Sequence, residues 1–99
     1  RGMEITPEDF AQYKIGIALT NKSFQSTSKS WKIAKGFACP SEPRPGRIPV
    51  VIIFNITDRS SALSIEAISE FQHEEEVLIV PGTFFMVQDI DRNEMPYEI

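Results

Sequence analysis

Three carboxylates in a row, Glu74, Glu75 and Glu76, run directly into the apolar stretch Val77-Leu78-Ile79-Val80, which stops at Pro81-Gly82. A short apolar run closed by a Pro-Gly turn predicts a buried strand. Side chains alternate faces along a strand, so Glu74 and Glu76 share one face about 7 Å apart while Glu75 points to the other. That is a carboxylate pair on a rigid support. The same pattern also fits charges that guard the end of an apolar strand against edge pairing. Two further short elements carry polar chemistry, Arg1-Gly2 at the tail of a strand and Ser26-Thr27-Ser28 on an extended run. Cys39 is the single cysteine, so it forms no internal disulfide, and without His or Cys neighbours at ligand spacing it gives no metal site.

The elements that must position these groups can be read in order. Thr6-Pro7-Glu8-Asp9 predicts a short helix, with a hydroxyl N-cap, proline at the first helical position and an acid at the third. Tyr13 to Thr20 reads as a strand weakened by Gly16, Asn21-Lys22 as a turn, and Phe24 to Ser28 as a second extended run. From Ser30 to Phe37 the apolar residues Trp31, Ile33, Ala34 and Phe37 approach helical spacing, with Ser28 or Ser30 as the cap. Trp31 and Phe37 at that spacing are expected in the core.

Four prolines between Cys39 and Pro49 predict a loop, and the β-branched run from Val50 to Ile56 predicts the best strand. Ser60 to His73 is expected to be partly helical or an ordered functional loop. Strands over Phe84 to Ile90 and Met95 to Ile99, separated by a turn at Asp91-Arg92-Asn93, complete the chain. Strands outnumber helices, which predicts an α+β fold, mainly antiparallel sheet in two packed layers with one or two short helices.

With 99 residues and 41% hydrophobic content, the chain is read as a single domain, residues 1–99, with one modest core. A net charge of −4 without any basic run interleaved with aromatics argues against a nucleic-acid surface. No apolar stretch approaches the roughly 20 residues of a helical membrane span.

Taken together and in this order, Arg1-Gly2, Phe24-Gln25-Ser26-Thr27-Ser28 and Glu74-Glu75-Glu76-Val77-Leu78-Ile79-Val80-Pro81-Gly82-Thr83 closely resemble the mono-ADP-ribosyltransferases of the Arg-Ser-Glu class, the family of arginine-specific ecto-enzymes and bacterial ADP-ribosylating toxins. The resemblance runs from Arg1 to about Val87. It implies a split β-sandwich that grips NAD in a cleft, transfer of ADP-ribose to an arginine of a target protein, and release of nicotinamide. NAD glycohydrolysis at the same site, or NAD or protein binding without turnover, are the alternatives.

Carried over by position, Arg1 faces the NAD phosphates and Gly2 offers its backbone to the nicotinamide carboxamide. Ser26 orients the catalytic carboxylate, while Thr27 and Ser28 hold the strand and cap the helix after it. Glu76 is the catalytic glutamate that stabilises charge on the ribose, and Glu74 holds the incoming guanidinium. Phe37 and, from the proline-rich loop, Arg44 or Arg47 are further cofactor contacts. Phe71 and His73 face the target protein. The family normally carries a helical lobe ahead of the Arg-Gly strand, so the core is expected to be completed by an upstream segment or a separate chain.

Overall fold

Thr6 starts the first helix as its sequence predicts: the hydroxyl accepts from the Asp9 N–H at 3.1 Å, and Pro7 opens helix α1, Pro7–Phe10. The computed structural model of the chain describes residues 1–56, 62–64 and 75–99. Among the described residues the strands form three hydrogen-bonded sheets. In the first, β1 (Gly2–Ile5) pairs antiparallel with β4 (Ile48–Val51), and β8 (Tyr97–Glu98) lies parallel on the other edge of β4. In the second, β2 (Ala18–Thr20) pairs antiparallel with β7 (Phe84–Met86). In the third, β3 (Gln25–Ser28) and β5 (Ala62–Ser64) flank β6 (Glu76–Ile79), both antiparallel to it. The result is an α+β architecture dominated by antiparallel pairs.

The β-branched run finds its reason in β4. Val50 and Val51 are 0% and 2% exposed, and neighbours along a strand point to opposite faces, so β4 is covered on both sides. Val50 joins Ile5, Phe10 and Ile52 on one face; Val51 meets Ala34 and Ala38 of the second helix, α2 (Trp31–Ala38), on the other. Burying side chains of this size contributes about 1.5–3 kcal/mol each, which makes β4 the anchor of the first sheet.

Several expectations are corrected. The strand predicted over 50–56 is regular over Ile48–Val51, with backbone pairing carried on through Ile52 to Arg1 and Ile53 to Ile99, and the strand predicted over 13–20 shrinks to Ala18–Thr20 because Gly16, at φ +90°, sits in a turn closed by Ile17 N–H to Lys14 O. Residues 62–64 are strand, where helix or loop was expected. Trp31 and Phe37 are not core residues: they are 48% and 56% exposed, and α2 packs through Ala34 and Ala38 instead. Small residues win there because β1 approaches the helix backbone closely.

That approach is set by Gly2. A Cβ on this residue would overlap the Ala34 carbonyl oxygen and lie 2.9 Å from the Ala38 nitrogen. Helix backbone cannot yield as a side-chain tip can, so Gly2→Ala should destabilise the fold by about 3 kcal/mol through forced displacement of α2. Urea unfolding measures it. A midpoint equal to that of the parent chain would mean that α2 is not seated against β1.

Candidate active site

Pairing of β3 with β6 sets the centre of the site. Ser28 lies opposite Glu76 and Ser26 opposite Leu78, so Ser26 and Glu76 are diagonal neighbours on one face of the ladder. A long side chain spans that diagonal. Ser26 Oγ donates to Glu76 Oε2 at 2.5 Å, a short charge-assisted hydrogen bond. Thr27 points to the other face, where its hydroxyl donates to the Val77 carbonyl at 2.7 Å and ties the same two strands together. Ser28 Oγ accepts from the Ser30 N–H at 3.0 Å, and Ser30 caps α2 by accepting from the Ile33 N–H at 3.3 Å. Ser-Thr-Ser thus turns the chain from strand into helix.

Arg1 joins this sheet to the first one. Its backbone exchanges two hydrogen bonds with Ile52, each 2.8 Å, while its guanidinium Nη1 donates to the Ser26 carbonyl at 2.8 Å. Arg1 Nε is buried without a partner among the described residues. A cleft of about 290 Å³ opens beside it. Arg1, Ser26 and Glu76 form one side and Ile33 and Phe37 of α2 the other, with Gly2, Thr27 and Ser28 between them. The exposed Phe37, expected in the core, is therefore a wall of the cleft. Gly2 reaches the cleft too, yet the side on which it lacks a Cβ faces α2.

The remaining candidates fall elsewhere. Arg44 is held back on β1, with its N–H donating to Glu4 Oε2 at 3.0 Å and its Nε 3.5 Å from Glu4 Oε1. Arg47 is exposed and does not line the cleft. Glu74, Phe71 and His73 lie outside the described residues. Among the described residues no group of His, Cys, Asp or Glu could hold a metal ion, and no helix is long and apolar enough to cross a membrane.

Glu75 alters the geometry expected of the glutamates. It adopts φ +48°, in the left-handed region that non-glycine residues seldom occupy, and its carbonyl accepts from the Lys29 N–H at 3.2 Å. β6 begins only at Glu76, so regular strand alternation does not extend back through residue 75. A β-branched side chain is far worse there than glycine. Glu75→Val should be less stable than Glu75→Gly by about 2 kcal/mol, read from the two thermal midpoints; equal midpoints would mean that the left-handed turn is not populated.

Asn21 does more than the turn that its sequence position predicts. Its Nδ2 donates to the carbonyls of Ser23 and Val80 at 2.9 Å and of Ile79 at 3.3 Å, and its own backbone carbonyl accepts from the Gly82 N–H at 2.8 Å. It thereby bolts the start of β3 to the Pro-Gly end of β6. An Asn two residues before a Ser hints at the local bond, but the bonds across 58 to 61 residues leave no local signal. On the far side of Arg1, burial pushes the Tyr13 phenol up; the Asp9 carboxylate adds to that shift and Arg1 opposes it.

No protein-family model matches the chain, and no curated protein sequence matches it. Two solved structures are similar over its whole length. ADP-ribosyltransferase Vis in complex with the M6 inhibitor superposes with a TM-score of 0.70 at 26% identity. Vis toxin, an ADP-ribosyltransferase from Vibrio splendidus, does so with a TM-score of 0.66 at 24% identity. The chain spans 44% of each of those proteins. These superpositions show that the chain has the fold of an ADP-ribosyltransferase core.

Proposed function

We propose that the cleft between β3, β6 and α2 is the NAD site of a mono-ADP-ribosyltransferase of the Arg-Ser-Glu class, and that its acceptor is a protein arginine. The observation that carries this reading is the Ser26–Glu76 hydrogen bond in a cleft that also holds the Arg1 guanidinium. Cleavage breaks the bond between ribose C1′ and the nicotinamide nitrogen, and the electron pair leaves on nicotinamide. Positive charge builds on the ribose. A carboxylate fixed beside it lowers the barrier electrostatically, and Ser26 fixes Glu76 by holding one of its oxygens.

Arg1 supplies the cation for the diphosphate, with its unpartnered buried Nε drawing negative charge toward the cleft. Phe37 offers a ring face to the nicotinamide. A guanidinium nitrogen of the acceptor then bonds to C1′ and loses a proton. Glu74, two residues ahead of Glu76, is the carboxylate that holds that guanidinium bidentately, which gives the preference for arginine.

The test measures nicotinamide release and ADP-ribose labelling side by side, with an arginine peptide and its lysine counterpart as acceptors. Labelling of the arginine peptide alone is expected. Nicotinamide release without any labelling would make the site a glycohydrolase, and NAD binding without nicotinamide release would remove catalysis from the reading.

A further inference from the structure

Ser26 lies one residue from the end of a short ladder. β3 and β6 pair only from Gln25 opposite Ile79 to Ser28 opposite Glu76, and Ser26 faces Leu78 next to the first of these pairs. β6 is the central strand of its sheet, held by β5 on its other side, whereas β3 lies at the edge. A strand of this kind opens from its ends, where the fewest hydrogen bonds hold it. Any slide or splay of β3 at Gln25 therefore reaches Ser26, and through Ser26 the diagonal hydrogen bond to Glu76.

Asn21 closes that end. One nitrogen, Nδ2, donates to the Ser23 carbonyl at 2.9 Å just ahead of β3 and to the carbonyls of Ile79 at 3.3 Å and Val80 at 2.9 Å where β6 ends. Val80 has a second donor, the Thr83 hydroxyl at 2.8 Å, so what Asn21 adds is the bridge from Ser23 to Ile79. Its Oδ1 is buried and accepts no hydrogen bond among the described residues. A buried acceptor without a partner costs stability. An amide that loses stability at one atom while it fixes geometry with the other fits a place where a functional pair must be held.

We propose that Asn21 is a positioning residue for the Ser26–Glu76 pair: by joining the approach to β3 to the end of β6, it keeps Ser26 where its hydroxyl reaches the Glu76 carboxylate. This rests on the reading of Glu76 as the carboxylate beside the ribose. Asn21 is not among the residues that line the cleft of Arg1, Phe37 and Glu76, so it acts through placement and not through contact with NAD. Its loss should lower kcat and spare KM, because the groups that bind NAD stay where they are.

Asn21→Ala is compared with Ser26→Ala, with the double variant, and with Thr6→Ala, which removes the cap of α1 away from this ladder. The first readout is the carbon-13 signal of the Glu76 carboxyl group at one fixed pH, which needs no turnover. Ser26→Ala displaces that signal by removing the hydrogen bond. Asn21→Ala should displace it in the same direction by roughly half as much or more, and the double variant no further than Ser26→Ala alone. Thr6→Ala should leave it in place while lowering the thermal midpoint. The second readout is nicotinamide release in an active polypeptide: Asn21→Ala should lower kcat by about 10-fold with KM within about 2-fold of the parent, and should cost nothing further once Ser26 is replaced by alanine.

A Glu76 signal that stays in place in folded Asn21→Ala overturns the proposal, as does an equal loss of kcat with and without the Ser26 hydroxyl. If Asn21→Ala is unfolded in buffer, the spectra are taken in sucrose, which favours the folded form. A chain unfolded there as well makes Asn21 a stability residue and also overturns the proposal. Turnover that is indifferent to Glu76→Gln would instead overturn the reading of Glu76 as catalytic, and the carbon signal would still decide whether Asn21 places the pair.

Discussion

Glu76→Gln should cut nicotinamide release from NAD by about 10²- to 10³-fold while leaving the thermal midpoint nearly unchanged. The amide has the length and shape of the carboxylate and keeps an oxygen that accepts from Ser26 Oγ, so the contact across the β3–β6 ladder survives. What is lost is the charge that opposes positive charge on the ribose. Glu76→Asp separates the two properties from the other side, since it keeps the charge and withdraws it from Ser26. Measured within the same active polypeptide, turnover by Glu76→Gln at the parent rate would take Glu76 out of the mechanism. A large fall in its midpoint would make the residue structural.

Glu74→Gln should lower labelling of an arginine acceptor by about 10²-fold or more and leave a substantial part of NAD hydrolysis intact. Glutamine cannot pair ionically with a guanidinium, and misplacing the acceptor nitrogen by an ångström is enough for such a loss. Water needs no guanidinium contact. Both products are followed in one reaction, so a change in nicotinamide release is seen independently of labelling. If the two activities fall together, Glu74 serves the common bond-breaking step or the structure, and the case for arginine falls with it.

How far the sequence could be read depended on whether the signal was local. Thr6-Pro7 and Ser30 mark their helix starts because a cap and its N–H lie within three residues of each other. Pro81-Gly82 marks the end of β6 because Gly82, at φ +81°, meets a local backbone need. Ser26-Thr27-Ser28 and Glu76 were legible as separate polar elements, although nothing in their spacing says that they pair diagonally in one ladder. Phe37 is expected in the core by periodicity, yet it is exposed and lines the cleft beside Arg1. Periodicity marks a helix face and does not say what lies across from it.

Long-range facts account for the other differences. The length of β4 depends on how far its partners run, and 50–56 carries strand composition beyond Ile53, the last residue of the run with a backbone bond to a neighbouring strand among the described residues. The parallel seat of β8 beside β4 requires knowing where the chain returns after the turn at Asp91, whose Oδ1 accepts from the Asn93 N–H at 2.8 Å. The left-handed Glu75 carries no residue-type signal, because glycine and asparagine are the usual occupants of such a turn.

The contact between Gly2 and α2 bears on how sequences of this kind diverge. A methyl group at position 2 would meet helix backbone, the Ala34 carbonyl and the Ala38 nitrogen, so no exchange of side chain at 34 or 38 can make room for it. Position 2 is closed to drift, and no second-site change on the helix reopens it short of moving the helix itself. An Arg-Gly pair, too common by chance to identify anything alone, thus becomes informative when weighed jointly with the small residues Ala34 and Ala38. A search for remote relatives gains discriminating power by scoring those three sites as one linked unit instead of three independent columns.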